Sequence, residues 1–298
     1  MDVAPIIAQL NKEKSIGHTY MYTALAGGTM SKVFLLYQEK SNACILKINA
    51  AKVTKEEAGF LSLYQPIALL PDLLVVDSLY QFMVYTYIPG STANHQNIKK
   101  TSLLQTLVAE LINHYQPVLN QHNWGWKDAP VSSWAQFLRD EVKAATAILT
   151  PQLDRLGVTI EEPLLKERCN SGLNQFPYLI HGDCGVHNFI VREEKLAGVI
   201  DPTPILGWPH YDVIYAFFSS PSDLTKQAWD SAIAGLTIER PADSVLYEEL
   251  LIGLYQRLGI CLKHHPEDWS MYIRAWEYWN KIVSNQQLKL EYSRRVAN

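Results

Sequence analysis

The sequence predicts an α+β chain with a small β-rich N-terminal part and a larger, mainly helical C-terminal part. Short runs rich in β-branched and aromatic residues dominate the first ninety residues. Long stretches with helical periodicity follow them, and one strand-rich island between Tyr178 and Ile205 interrupts those stretches. The 298 residues are enough for two domains, which we place at residues 1–88 and 89–298.

The N-terminal part is predicted to form an antiparallel sheet with one helix. The helix covers Thr54–Tyr64, because Glu57, Leu61 and Tyr64 recur at helical spacing. Pro89-Gly90 ends this part of the chain. The predicted strands are Tyr20–Ala26, Lys32–Tyr37, Ala43–Asn49, Leu73–Val76 and Gln81–Ile88.

The C-terminal part is predicted to be built from five long helices. Its last helix carries four large aromatic residues at helical spacing, which is typical of a buried stripe, with a substrate-binding wall as the alternative. These aromatic residues are Trp269, Tyr272, Trp276 and Trp279. The predicted helices are Thr101–Gln121, Ser132–Leu149, Pro163–Asn174, Ser244–Leu262 and Glu267–Leu290.

Composition restricts the class of protein. Lys and Arg number 26 against 30 Asp and Glu, a net charge of −4, which argues against a nucleic-acid-binding surface. No apolar run approaches the roughly 18 residues that a membrane span requires. The beginning of the chain lacks the pattern of a signal peptide, and the four cysteines form no C-x-x-C pair. We therefore expect a cytoplasmic protein that binds neither membranes nor nucleic acid.

The strand-rich island carries the most informative polar residues. Two β-like runs, Phe189–Arg192 and Leu196–Ile200, flank the three residues 193–195 and predict a hairpin. Asn188 precedes the hairpin and Asp201 follows it, so pairing of the strands brings both side chains to its open end. An amide oxygen beside a carboxylate is a hard oxygen site that suits Mg²⁺.

A third polar residue of the island, Asp183, precedes Asn188 by five positions and is expected near the metal but free to face another group. One carboxylate for a hydroxyl proton and an Asn/Asp pair for a metal are what phosphoryl transfer requires.

The motif His181-Gly182-Asp183, followed by Asn188 and then Asp201 after a hairpin, resembles the signature of the aminoglycoside phosphotransferase family. That family includes choline-kinase-like and other small-molecule kinases on a protein-kinase-like fold. The resemblance implies a two-lobed fold, with an N-terminal nucleotide-binding lobe and a C-terminal catalytic and substrate-binding helical lobe. It also implies that Asp183 is the catalytic base and that Asn188 and Asp201 are the metal ligands.

The same resemblance assigns two charged residues of the N-terminal part. Lys47 lies within an apolar strand and would hold the phosphates of the nucleotide. Glu57 on the next helix would be its ionic partner, with Glu56 as the spare candidate. A different interpretation makes Thr54 and Glu57 a capping box, T-x-x-E, at the start of that helix.

The resemblance also assigns contacts to the nucleotide. Gly28 lies in a loop with two glycines that would cradle phosphates, and Thr86 and Ile88 would offer backbone groups to adenine. Asp212 would support the catalytic loop, although Trp208 stands where the family commonly has an aspartate.

The activity that the resemblance implies is phosphoryl transfer from ATP, or from GTP as an alternative, to a hydroxyl of a small molecule with Mg²⁺ as cofactor. The acceptor would be an aminoglycoside or another antibiotic, an amino alcohol or a sugar. The sequence is compatible with two other classes of protein. One is a pseudokinase that binds nucleotide without turnover, and the other is a zinc hydrolase with His181, Asp183 and His187 as ligands.

Overall fold

The computed structural model describes residues 3–13, 16, 21–25, 31–38, 43–93, 98–156 and 176–296. The helices are α1 (Val3–Glu13), α2 (Ala51–Leu63), α3 (Lys100–Glu110), α4 (Trp134–Leu156), α5 (His210–Phe218), α6 (Lys226–Ile233), α7 (Asp243–His264) and α8 (Trp269–Val296). The strands are β1 (Met21–Leu25), β2 (Lys32–Tyr37), β3 (Cys44–Ile48), β4 (Leu73–Val76), β5 (Phe82–Thr86), β6 (Ser91–Thr92), β7 (Gly125–Trp126), β8 (Tyr178–Ile180), β9 (Phe189–Arg192), β10 (Lys195–Val199) and β11 (Ile205–Gly207).

The chain forms two compact units. Met1–Ile98 and His181–Pro204 make up the first, and Lys99–Ile180 and Ile205–Asn298 make up the second. The segment after His181 belongs to the first unit because β6 pairs with β9, in a three-stranded sheet of order β10-β9-β6. The division into functional lobes at residues 88 and 89 stays a prediction.

The first unit contains a five-stranded antiparallel sheet of order β1-β2-β3-β5-β4. Its central strand β3 pairs Lys47 with Val33 on one side and with Met83 on the other. This register places Lys47 in the middle of the sheet, where its aliphatic stem is buried.

The helix α1 was not predicted and covers part of this sheet. Its buried residues Val3, Ile6, Ile7 and Leu10 form a core cluster with residues of β2, β3 and β5. Their spacing of three, one and three is the pattern of one helix face. The apolar pattern was therefore present in the sequence, and the described residues of the first unit include two α-helices instead of one.

The hairpin of β9 and β10 has a tighter turn than predicted. Arg192 pairs with Lys195, so the turn contains two residues and not three. Glu193 and Glu194 have φ angles of 52° and 58°, the left-handed conformation that two-residue hairpin turns demand. The two-residue turn could not be recognised in the sequence, because neither residue is Gly, Asn or Asp, the usual residues of such turns.

The second unit is mainly helical, with a small sheet of order β7-β11-β8. The predicted helix Thr101–Gln121 is too long: α3 ends at Glu110, and a short 3-10 helix, Ile112–His114, follows it. Pro117 interrupts the pattern and pairs with Tyr178 in an extended bridge. The helices α5 and α6 were not predicted, and the predicted helix at 163–174 lies outside the described residues.

The aromatic stripe of α8 belongs to the core of the second unit. Tyr272, Trp276 and Trp279 are all buried. The Tyr272 hydroxyl donates to the Phe218 carbonyl at 2.7 Å, and Trp279 Nε1 donates to the Leu224 carbonyl at 2.9 Å. The interpretation as a buried stripe is confirmed for these three residues. Within the described part of the chain, no helix has both the length and the apolarity to span a membrane.

Candidate active site

A buried ion pair joins β3 to α2. Lys47 Nζ lies 2.9 Å from Oε1 and 2.8 Å from Oε2 of Glu57, and the two residues are 5% and 1% exposed. Helix α2 begins at Ala51, so Thr54 lies inside the helix and not at its N-terminus. The capping-box interpretation is therefore wrong, and Glu57, not Glu56, is the partner of Lys47.

The same lysine also contacts Asp201, which lies two residues after β10. Lys47 Nζ is 2.9 Å from Asp201 Oδ1. The Asp201 side chain is 34% exposed, and its φ of 55° is left-handed, which aspartate tolerates better than most residues. Lys47 therefore lies between one deeply buried carboxylate and one that faces open space.

The pKa values of this cluster follow from burial and charge. Burial raises the pKa of the Glu57 carboxyl to about 7, and Lys47 opposes part of that increase. Burial by itself would lower the pKa of Lys47, but the carboxylates of Glu57 and Asp201 outweigh it and raise that pKa. Lys47 consequently remains a cation at neutral pH.

The loop before β9 brings Asp183 and Asn188 together. Asn188 Nδ2 donates to the backbone carbonyl and to Oδ2 of Asp183, both at 2.9 Å. His187 Nε2 lies 3.2 Å from the same Oδ2. The carboxylate of Asp183 is therefore contacted by two side chains, one of which, His187, entered the sequence analysis only as a ligand of the zinc-hydrolase alternative.

The His181 side chain stabilises this loop through hydrogen bonds to backbone atoms. It is fully buried, and its Nδ1 accepts the backbone N–H of Asp183 at 3.2 Å. Its Nε2 lies 3.0 Å from the carbonyl of Ile200 and must donate there, which assigns the Nε2–H tautomer. Burial lowers the pKa of His181 to about 4, so the ring is neutral. Both ring nitrogens are engaged with the backbone, which argues against His181 as a zinc ligand.

The side chains of this cluster face one cavity of about 750 Å³, lined by residues of the first unit. Its polar lining includes Lys47, Glu57, Asp183, His187, Asn188 and Asp201. Its apolar lining includes Leu25, Val33, Ile45, Tyr85, Ile88, Ile190 and Ile200. A cavity lined by apolar side chains and by several charged groups is suited to a nucleotide.

The predicted contacts to adenine lie on the wall of this cavity. Thr86 and Ile88 both line it. The backbone N–H of Thr86 donates to the Asp72 carbonyl at 3.0 Å and is therefore not available to a base. Tyr85 also lines the cavity and was not predicted as a site residue. Gly28 lies outside the described residues.

The donor set at the open end of the hairpin fits Mg²⁺. Val199 pairs with Phe189, and the Ile200 N–H donates to the Asn188 carbonyl at 2.9 Å, so Asn188 and Asp201 flank the same end. The Asn188 amide nitrogen is directed at Asp183, which turns its Oδ1 the other way. An amide oxygen and a carboxylate could thus hold an ion that completes its shell with water and phosphate oxygens.

Asp212 is placed by the second unit. It is fully buried in α5 and accepts the Tyr115 hydroxyl at 2.7 Å. Its support of the catalytic loop stays a prediction.

Comparison with known proteins identifies the family. The sequence profile of APH, described as the phosphotransferase enzyme family, matches residues 22–243. The chain belongs to this family. A search of curated proteins gives no match. The match to the family profile covers about three quarters of the chain and includes every residue of the site described above.

Solved structures of phosphotransferases share the fold of this family member. A protein of Thermobifida fusca described as a fructosamine-3-kinase has a TM-score of 0.62 at 13% identity, over 93% of this chain and 100% of its own. The aminoglycoside phosphotransferase APH(2″)-IIa, in a ternary complex with streptomycin and ATP, has a TM-score of 0.59 at 19% identity, over 93% and 98%. A mutant of APH(4)-Ia with AMP-PNP and hygromycin B has a TM-score of 0.55 at 14% identity, over 92% and 97%. The predicted α+β, protein-kinase-like fold is confirmed.

Proposed function

We propose that the protein is a kinase that transfers the γ-phosphoryl group of ATP to a hydroxyl of a small molecule. The observation that carries the proposal is the convergence of Lys47, Asp183, Asn188 and Asp201 on one cavity. A buried cation, an acceptor carboxylate and a pair of oxygen ligands are the parts that phosphoryl transfer uses.

Lys47 binds and orients the phosphates of the nucleotide. Its position is fixed by Glu57, whose two carboxylate oxygens both lie within 2.9 Å of Nζ. Because the ammonium is held by a rigid strand and a rigid helix, its charge is positioned before the nucleotide arrives. Such positioning lowers the barrier without reorganisation during the reaction.

Asp183 orients the acceptor hydroxyl and takes its proton. The hydroxyl oxygen forms a bond to the γ-phosphorus while the bond from that phosphorus to the β,γ-bridging oxygen breaks. The electron pair of the broken bond stays on ADP, and the proton of the hydroxyl goes to the Asp183 carboxylate. General-base catalysis of this kind contributes about 10²–10⁴-fold.

Asn188 and Asp201 are the residues that would hold Mg²⁺. The ion, when bound, neutralises charge on the phosphate oxygens as the phosphoryl group transfers. The adenine would occupy the apolar part of the cavity, with the Thr86 carbonyl and the Ile88 N–H as its backbone partners. Gly28 would approach the phosphates, and GTP is the alternative nucleotide.

The acceptor is a small hydroxylated molecule, for which the classes are aminoglycosides, other antibiotics, amino alcohols and sugars. The proteins of similar fold that are complexed with streptomycin or hygromycin B support the first class. The net charge of −4 is compatible with a cationic acceptor. We place this activity in the cytoplasm, where ATP is available.

The proposal is tested by incubating the purified protein with γ-labelled ATP, Mg²⁺ and members of each acceptor class. We expect label on one class of acceptor, and a loss of about 10²–10⁴-fold in kcat for Asp183→Asn. That variant should still bind MgATP, measured as a shift in unfolding temperature. Nucleotide binding without transfer to any acceptor or to water would overturn the proposal in favour of a pseudokinase.

A further inference from the structure

A histidine that the family signature leaves unassigned contacts the proposed catalytic base. His187 Nε2 lies 3.2 Å from Oδ2 of Asp183. An ionised carboxylate oxygen only accepts, so Nε2 carries the hydrogen and donates it. Asn188 Nδ2 donates to the same oxygen at 2.9 Å. Two different side chains therefore bind one carboxylate oxygen.

We propose that His187 is a positioning residue for Asp183 in phosphoryl transfer, an inference that rests on the proposed function. A single donor restrains one oxygen but leaves the plane of the carboxylate able to rotate about it. Donors from two directions restrain that plane, and with it the direction in which the second oxygen faces the acceptor hydroxyl. A misplacement of about 1 Å in a reacting group can cost on the order of 10²-fold in rate.

The two histidines of the loop differ in burial, and this difference distinguishes a positioning role from a structural one. His181 is fully buried and bonds to backbone atoms, as a residue that supports the fold does. The His187 side chain is 48% exposed and lines the cavity, and it contacts the Asp183 side chain, which is 28% exposed. Replacing His187 thus removes little buried surface, and its effect should appear in the reaction more than in stability.

The experiment compares two substitutions at His187 with one at a matched control. His187→Leu removes the donor, and His187→Gln keeps an N–H at a similar distance from the backbone. His265 is the control, because its side chain is also 48% exposed and its Nδ1 lies 3.7 Å from the Glu267 carboxylate, in the second unit. The probe reaction is MgATP hydrolysis, in which water replaces the acceptor hydroxyl and gives its proton to Asp183.

We expect His187→Leu to lower kcat for phosphate release about tenfold, with KM for ATP and the unfolding temperature close to those of the wild type. His187→Gln should recover most of the lost rate, and His265→Leu should behave as the wild type. Recovery of kcat in His187→Gln would show that the N–H donor is what the reaction needs. If His187 acted only through its shape, glutamine, which has a different shape, would not restore the rate.

Three results would overturn the inference. An unchanged kcat in His187→Leu with an active wild type refutes it and leaves the proposed function intact. A raised KM for ATP at unchanged kcat assigns His187 to nucleotide binding instead. A wild type that releases no phosphate and labels no acceptor refutes the proposed function and this inference with it.

Discussion

Lys47 Nζ lies 2.9 Å from Asp201 Oδ1, although the two residues are 154 positions apart in the sequence. The same nitrogen binds both carboxylate oxygens of Glu57. The two carboxylates differ in exposure, since the side chain of Glu57 is 2% and that of Asp201 is 34% accessible. Asp201 can therefore turn toward a ligand in the cavity while Glu57 remains on the lysine.

The first prediction concerns stability and pH in a Lys47→Met variant. The folded-state pKa of Glu57, about 7, lies above its ordinary value of 4.5, so its contribution to stability is complete below pH 4.5 and is lost as the pH rises through 7. Removing Lys47 removes an interaction that lowers this pKa, so the loss extends to higher pH. We expect the gap between wild type and variant to widen above pH 7 by up to about 1.4 kcal/mol per pH unit.

Urea unfolding between pH 6 and pH 9 measures this gap. The control is the double variant Lys47→Met/Glu57→Gln, which has no carboxyl at position 57 and should lose the additional slope. If the single and the double variant show the same pH dependence, Glu57 is not the titrating group.

The second prediction concerns His181. Burial lowers the pKa of this histidine, whereas it raises the pKa of the Glu57 carboxyl. The folded-state pKa of His181, about 4, lies below the ordinary 6.5, so the folded state binds fewer protons than the unfolded one between these values. Its contribution to stability is present above pH 6.5 and is lost as the pH falls toward 4. Over the whole window the loss amounts to about 3 kcal/mol.

The difference between wild type and His181→Gln isolates this contribution from that of other groups. We expect the free energy of unfolding of the variant to fall below that of the wild type at pH 7, and the gap to close as the pH approaches 4. Parallel curves for the two proteins would show that His181 does not titrate in this window.

The sequence predicted those parts of the site that lie close together along the chain, within the motif and the hairpin. Asn188 and Asp201 flank a hairpin, and strand pairing alone brings them to the same end. Lys47 and Glu57 were assigned from the resemblance, because nothing local links a strand lysine to a glutamate of the next helix. The contact between Lys47 and Asp201 could not be predicted from either, because it depends on how the five-stranded sheet and the hairpin pack.

Other features were missed for identifiable reasons. The turn at Glu193 and Glu194 uses left-handed residues that carry none of the usual turn signals. The predicted helix beyond Glu110 followed apolar periodicity past Pro117, where the chain becomes extended. Helix α1 had a clear apolar face, but the buried sheet residues of its cluster, in β2, β3 and β5, lie more than twenty positions beyond Leu10.

The third prediction concerns that helix. Leu10 of α1 is 1% exposed and belongs to the core cluster with Leu36, Leu46 and Val84 of the sheet. Leu10→Ala should lower the free energy of unfolding by about 2–5 kcal/mol, since it removes buried methyl groups and leaves a cavity.

The control for Leu10 is the adjacent residue Gln9, which is exposed and donates to Glu13 at 3.0 Å on the surface of the helix. Gln9→Ala should change the free energy of unfolding by no more than about 0.5 kcal/mol. Equal urea midpoints for the Leu10→Ala and Gln9→Ala variants would mean that α1 contributes nothing to the stability of the sheet.

The fourth prediction tests the wall of the cavity through Gly198 in β10. A Cβ atom at this position would lie 2.4 Å from Cδ1 and 2.9 Å from Cγ2 of Ile88. Ile88 lines the cavity, and its side chain must shift to admit a methyl group. We expect Gly198→Ala to weaken MgATP binding about three- to tenfold, because the apolar contact that the Ile88 side chain offers to the base is disturbed.

Gly59→Ala is the matched control, because the same methyl group would meet nothing within 4 Å in the exposed part of α2. Alanine in place of glycine inside a helix should stabilise the protein by about 0.5–1 kcal/mol and leave nucleotide affinity unchanged. Titration calorimetry with MgATP distinguishes the two variants.

Because Ile88 is the proposed partner of the base and not of the phosphates, the affinity for MgADP should fall by the same factor. A loss confined to MgATP would place the disturbance at the phosphate end of the cavity and contradict the assignment of Ile88.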